Sequence, residues 1–155
     1  MTPERRALRF DSIDDVMPEV ERLLEGHSTV GNWSLAQICR HLAAATRRVV
    51  DLPASTPHDP STLVPEEKKR QVFETGLLPE GLSAPREIEP TDTAGAREEA
   101  AGLRAALAHY KASPTGPVIA HRFFGRMSKP EWDRLVCIHC AHHLSFAIPT
   151  SSATV

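Results

Sequence analysis

Seven prolines lie between residues 53 and 90, at positions 53, 57, 60, 65, 79, 85 and 90. Each removes a backbone donor and fixes φ, so neither a long helix nor a central strand can cross this stretch. Its only helical candidate is Pro65 to Leu78, PEEKKRQVFETGLL. Val72, Phe73, Leu77 and Leu78 form its apolar side, and they need somewhere to be buried. The stretch therefore reads as a long, ordered crossover between two helical parts.

Before the crossover, Ser12 and Asp15 begin a helix whose apolar residues are Ile13, Val16, Val20, Leu23 and Leu24, ending at Gly26. Pro18 within it calls for a late start or a kink. HSTVGNW reads as a loop. Ser34 and Gln37 then make a capping box for a second helix, with a stripe of Leu35, Ile38, His41, Leu42, Ala45 and Val49. Arg40, Arg47 and Arg48 fall on its wet side. After the crossover a third helix is expected over Ala94–Ala112, carrying Ala96, Ala100, Leu103, Leu107 and Tyr110 on one face. The fourth opens with the box Ser128/Glu131 and Pro130 in its first turn, and stops at Pro149. Four amphipathic helices with no period-two pattern predict an all-α protein, a four-helix bundle with a long crossover between helices 2 and 3.

At 155 residues the chain suits one domain, 1–155, with a core that needs no disulfides. A net charge of −2 speaks against nucleic acid or an anionic membrane surface as partner. No run of about 20 apolar residues is present to span a membrane, and MTPERRALRF lacks an apolar signal core. Three cysteines fit a reducing compartment. A soluble, cytoplasmic protein is expected.

Three of the eight histidines fall in WDRLVCIHCAHHLSFAIP, residues 132–149. Trp132, Leu135, His139, His143 and Phe146 share a helix face. Imidazoles on an apolar stripe are costly unless something engages them. His139 and His143, at i and i+4, can aim two nitrogens at one metal ion, and His41 on the second helix supplies a third. His142 competes with His143. It lies about 60° from His139 around the helix, against about 40° for His143 on the other side. It can equally bond a backbone group or line a pocket.

Cys137 and Cys140 make C-x-x-C, a pattern of zinc or redox chemistry. Mid-helix, however, a thiolate gains nothing from a helix N-terminus, so these and Cys39 read as small buried hydrophobes. His121 opens HRFFG, a loop that either packs the bundle end or reaches the site mouth. Trp33 suits a hydrophobic staple before the second helix and is also a candidate pocket wall.

GNWSLAQICRHLA at 31–43 and IHCAHHLSF at 138–146 resemble the DinB-like (YfiT-like) superfamily of metalloenzymes. Within it they are similar to a domain of unknown function carrying G-N-W-S-L…H-L-A, an H-P-x-F-G loop, and a C-terminal H-x-x-H-H-L-S-F followed by proline. The likeness extends to the crossover near LLPEGL. It implies an up-down-down-up bundle holding nickel, zinc or iron through His41, His139 and His143. It also implies thiol-dependent group transfer or, in other members, hydrolysis. Arg122 stands where that loop motif has proline.

Two classes of function follow. A metal-dependent enzyme would leave one metal position for water or a low-molecular-weight thiol. Trp132, Phe146, Phe123 and Phe124 would wall a pocket for a small-molecule substrate, and an arginine of the second helix would reach a carboxylate. No glutamate stands beside the histidines as a general base, which weakens hydrolysis more than transfer. Alternatively the pocket binds a metal or ligand without turnover. Alanine-rich helices such as Ala94–Ala112 also suit a homodimer.

Overall fold

The computed structural model describes residues 5–78, 90 and 93–150. These residues are mostly helical, with five α-helices and one small sheet among them. They are α1 (Val16–Glu25), α2 (Leu35–Asp51), α3 (Glu66–Thr75), α4 (Ala96–Ala112) and α5 (Lys129–Leu144), with strands β1 (His27–Thr29) and β2 (Ala147–Pro149).

The local signals explain most boundaries. Ser12 caps a 3-10 turn, Ile13–Asp15, that leads into α1. Pro18 thus falls in the first turn of α1, where its missing N–H costs no helical bond. Gln37 N–H donates to Ser34 Oγ at 3.1 Å while Ser34 N–H donates to Gln37 Oε1 at 2.8 Å. The pair Ser128 and Glu131 repeats this at 3.3 and 3.0 Å. Both helices that carry the candidate ligands, α2 and α5, therefore have starts fixed by their own residues. Helix α4 begins at Ala96 with Gly95 as its cap, two residues later than expected.

α4 and α5 each touch both α1 and α2, so these four helices surround one core. Val20, Leu23, Leu42, Leu103 and Leu144 are completely buried in it. Ala100 and Ala106 are buried too; α4 uses its small residues for close packing on α2 within the chain. α3 lies in the crossover and rests on α5. It buries Val72 and partly covers Phe73 and Leu78, but Leu77 is 59% exposed. The αL turn at Gly76 ends the helix one residue earlier and turns Leu77 outward. Prolines 79 and 85 and most of LLPEGL lie outside the described residues. The crossover's far end is tied back where Gln37 Nε2 donates to Pro90 O, 3.3 Å.

Two sequence expectations fail where β1 and β2 pair. HSTVGNW is not all loop, and Pro149 does not end a helix. α5 stops at Leu144, and β2 pairs antiparallel with β1, His27 facing Pro149 and Thr29 facing Ala147. Val30 N–H to Phe146 O (2.9 Å) and Thr150 N–H to Gly26 O (3.0 Å) extend the ladder. Pro149 sits at a strand end, where its absent donor is tolerated. Among the described residues no helix is long and apolar enough to cross a membrane.

Candidate metal centre

α2 and α5 bring three imidazoles to one point. His139 Nε2 lies 3.2 Å from His41 Nε2 and 3.1 Å from His143 Nε2. All three potential ligand atoms fall within 4.8 Å of one another. The rings meet edge to face, at 75°, 69° and 79°. They radiate from a centre rather than stack.

Hydrogen bonding alone does not account for this geometry. A neutral imidazole nitrogen carries either one proton or one lone pair. His139 Nε2 therefore cannot make two separate good bonds to two other ring nitrogens. Three lone pairs directed at a common cation satisfy all of them. At metal–nitrogen lengths of about 2.0–2.1 Å, tetrahedral ligands stand about 3.3 Å apart, close to the two shortest separations here. The residues present fit a divalent ion. His139 and His143 are held far on the neutral side of their usual range, chiefly by burial and then by their imidazole neighbours. Neutral rings are the form a metal requires.

Trp33 covers the cluster. Its ring stacks on His143 at 5.3 Å and 19°, and tilts against His41 at 5.0 Å. Lying one residue before the Ser34 cap, it closes over the ligand rings. His142 points elsewhere: its Nδ1 faces the Arg5 guanidinium at 2.6 Å. Burial, then Arg5, lowers its pKa to about 4. Phe146 lies beyond the end of α5 and leaves the expected stripe. It packs on Gly31, where a Cβ would come within 3.2 Å of the ring, and under Arg5 at 5.5 Å.

The HRFFG loop is a tight turn locked from inside. His121 and Gly125 exchange backbone hydrogen bonds of 2.8 and 2.9 Å, with Gly125 at φ +72°. His121 Nδ1 accepts the N–H groups of Phe123 and Phe124, at 3.0 and 3.2 Å, so its proton resides on Nε2. Arg122, in the place of a proline, uses its carbonyl to accept from Thr62 Oγ1. Phe124 is buried against Phe73 and His121 rather than walling a pocket. Trp132, 2% exposed, meets His121 edge-on at 5.7 Å. Its Nε1 and His58 Nε2 are buried without a hydrogen-bond partner among the described residues. Sequence reasoning missed His58, which stands alone between two prolines with no periodicity to flag it.

Burial, then the nearby His58, brings the His121 pKa down to about 4. The unfolded chain takes up this proton near pH 6.5 while the folded one resists it. The stability so conferred is complete above pH 6.5, declines as pH falls, and is gone below about 4. Order of magnitude, that is about 3 kcal/mol. His121→Asn keeps an acceptor for the loop and removes the titration. Urea unfolding at stepped pH is expected to show a shallower acid decline in H121N than in the parent. Equal slopes would assign the decline to other groups.

The remaining candidates take no part in the centre. Arg40 pairs with Glu99 at 3.3 Å. All three cysteines are free and buried; burial first of all raises Cys39 to about 12 and Cys137 to about 11. Protonated thiols of this kind are neither redox-active nor ready ligands. No curated protein and no solved structure matches the chain. Residues 2–150, however, match the profile described as Protein of unknown function (DUF1569), and the chain belongs to that family.

Proposed function

We propose that the protein is a DinB-like helical metalloprotein that binds one divalent ion through His41, His139 and His143 and catalyses group transfer with a low-molecular-weight thiol. The observation that carries this reading is the convergence of three imidazole nitrogens with no carboxylate in the cluster. Four helices around one core, with a crossover between α2 and α4, support the DinB-like bundle.

The chain's residues divide the work. Three neutral ligands add no charge, so an ion held there keeps its full Lewis acidity and favours the ionised form of a thiol or water offered to it. Trp33 shields the ligand rings from solvent and holds two of them in orientation. The buried Trp132 packs edge-on against the pinned His121 ring. Among the described residues, no glutamate or aspartate joins the imidazoles in the cluster to take a proton from water. This favours a thiol, acidic enough to ionise without a strong base, over hydrolysis. We also expect a homodimer, which light scattering at tens of micromolar tests.

The deciding experiment uses protein loaded with cobalt or nickel. Titration with a small thiol should shift the visible ligand-field bands and add a charge-transfer band. Spectra indifferent to thiols, together with turnover of esters or amides, would overturn the transferase in favour of a hydrolase. Indifference to thiols with no turnover would leave a metal-binding module.

A further inference from the structure

The face of α5 turned away from the histidine centre borders a cleft of about 330 Å³. Arg134, Ile138, Ala141 and His142 line it from α5, and the segment from Arg5 to Phe10 forms the opposite wall. That segment is fixed in place: Arg6 N–H donates to Ser145 O at 3.0 Å, and Arg6 Nε to Ala147 O at 2.8 Å. The floor is apolar, with Phe10, Ile138 and Ala141 no more than 5% exposed.

The charge around this cleft is unbalanced. Arg6 and Arg9 also border it, but each has a carboxylate, Glu19 at 2.6 Å and Asp11 at 3.1 Å. Among the described residues Arg5 and Arg134 have none, and no acidic side chain lines the cleft. Arg134 Nε and Nη2 donate to Phe73 O near the C-terminal end of α3, at 3.4 and 3.2 Å. A helix C-terminus is worth about half a negative charge. Arg5 rests on neutral His142 and on the Phe146 ring. Among the described residues, two full positive charges thus face half a negative one.

The two charges stand toward opposite ends. Arg134 and His142, the partner of Arg5, are eight residues apart on α5, a rise of roughly 12 Å. Ile138 and Ala141 lie between them. We propose that this cleft is a binding site for a small organic dicarboxylate, one carboxylate on Arg5, the other on Arg134, and the hydrocarbon spacer on Ile138 and Ala141. A guanidinium presents paired donors that match a carboxylate. The volume is at the lower end of small-molecule pockets, which suits a spacer of a few carbons. The site is separate from the metal centre and does not depend on it.

Calorimetric titration with adipate tests the assignment, with hexanoate as the single-charge probe and inorganic sulfate as the probe without a spacer. Adipate should bind once per chain and at least about fivefold tighter than hexanoate or sulfate. Arg5→Gln and Arg134→Gln should each bring adipate down to the level of hexanoate. Arg5 lies outside the helices, so R5Q carries the test if R134Q does not fold by circular dichroism. Adipate should bind equally to metal-free and metal-loaded protein, and to His139→Ala. Hexanoate or sulfate matching adipate, adipate binding unchanged in R5Q, or binding that disappears with the metal would each overturn the proposal.

Discussion

His139→Ala is expected to abolish divalent-metal binding, while His142→Ala keeps one ion per chain. The two residues lie within one turn of the same helix, so the contrast separates ligand geometry from histidine content. His139 Nε2 is the nitrogen that the other two both approach, at 3.2 and 3.1 Å. Without it, two ligands remain on different helices with a gap between them. Changing a partner merely behind a ligand typically costs 10–100-fold in affinity, and losing the ligand itself should cost more than about 100-fold. His142 instead turns its Nδ1 to Arg5 and touches His143 only by a ring edge, 4.9 Å between centroids. Metal content after desalting, with circular dichroism as the folding control, decides the matter. Equal loss in both variants would mean that His142 is a ligand, and equal retention would place the ion elsewhere.

Removing the ion should lower the melting temperature strongly without unfolding the protein. Binding to the native state alone contributes RT ln(1 + [L]/Kd), about 4 kcal/mol at a thousandfold excess over Kd. For a domain of this size each kcal/mol moves the midpoint by about 2–4 °C, so chelation should lower it by roughly 8–16 °C. The helices survive because their apolar core is continuous and separate from the imidazoles. Val20, Leu42, Leu103 and Leu144, one each from α1, α2, α4 and α5, are completely excluded from water. Far-ultraviolet circular dichroism at 25 °C should therefore be unchanged by EDTA. A collapse of the helical signal on chelation would make the ion an obligatory part of the fold.

Which parts of this structure could be read from sequence follows from the range of the interactions. Capping boxes are complete within four residues, so Ser12, Ser34 and Ser128 declare themselves. The helical angle likewise groups His143 rather than His142 with His139: α5 is regular through both, and the cluster contains His143 and not His142. It fails at Phe146, where helical spacing runs past Leu144 into the turn before β2. The β1–β2 pair has no local signal at all. Three-residue strands cannot show an alternating pattern, and their partners lie about 120 residues apart. Trp33 was ambiguous because a staple and a cover over the ligand rings demand the same aromatic at the same place. The choice depends on α5, which no local motif near Trp33 mentions. His58 and the Arg5–Arg134 cleft depend likewise on where distant segments come to rest.

The β1–β2 pairing has a consequence for how the protein is made. β1 leads through Trp33 into the helix of His41, and β2 follows directly after His143, so the ribbon ties the two halves of the centre together from behind. His41 and His139 are 98 residues apart in sequence. At about 5–20 residues per second of synthesis, roughly 5–20 s separate the appearance of the first ligand from that of the second. β2 emerges later still. During that interval the nascent chain offers isolated imidazoles, so capture of the proposed ion would wait until α5 has emerged. The ribbon sets the order of events: β2, made after His139 and His143, closes the site that His41 began.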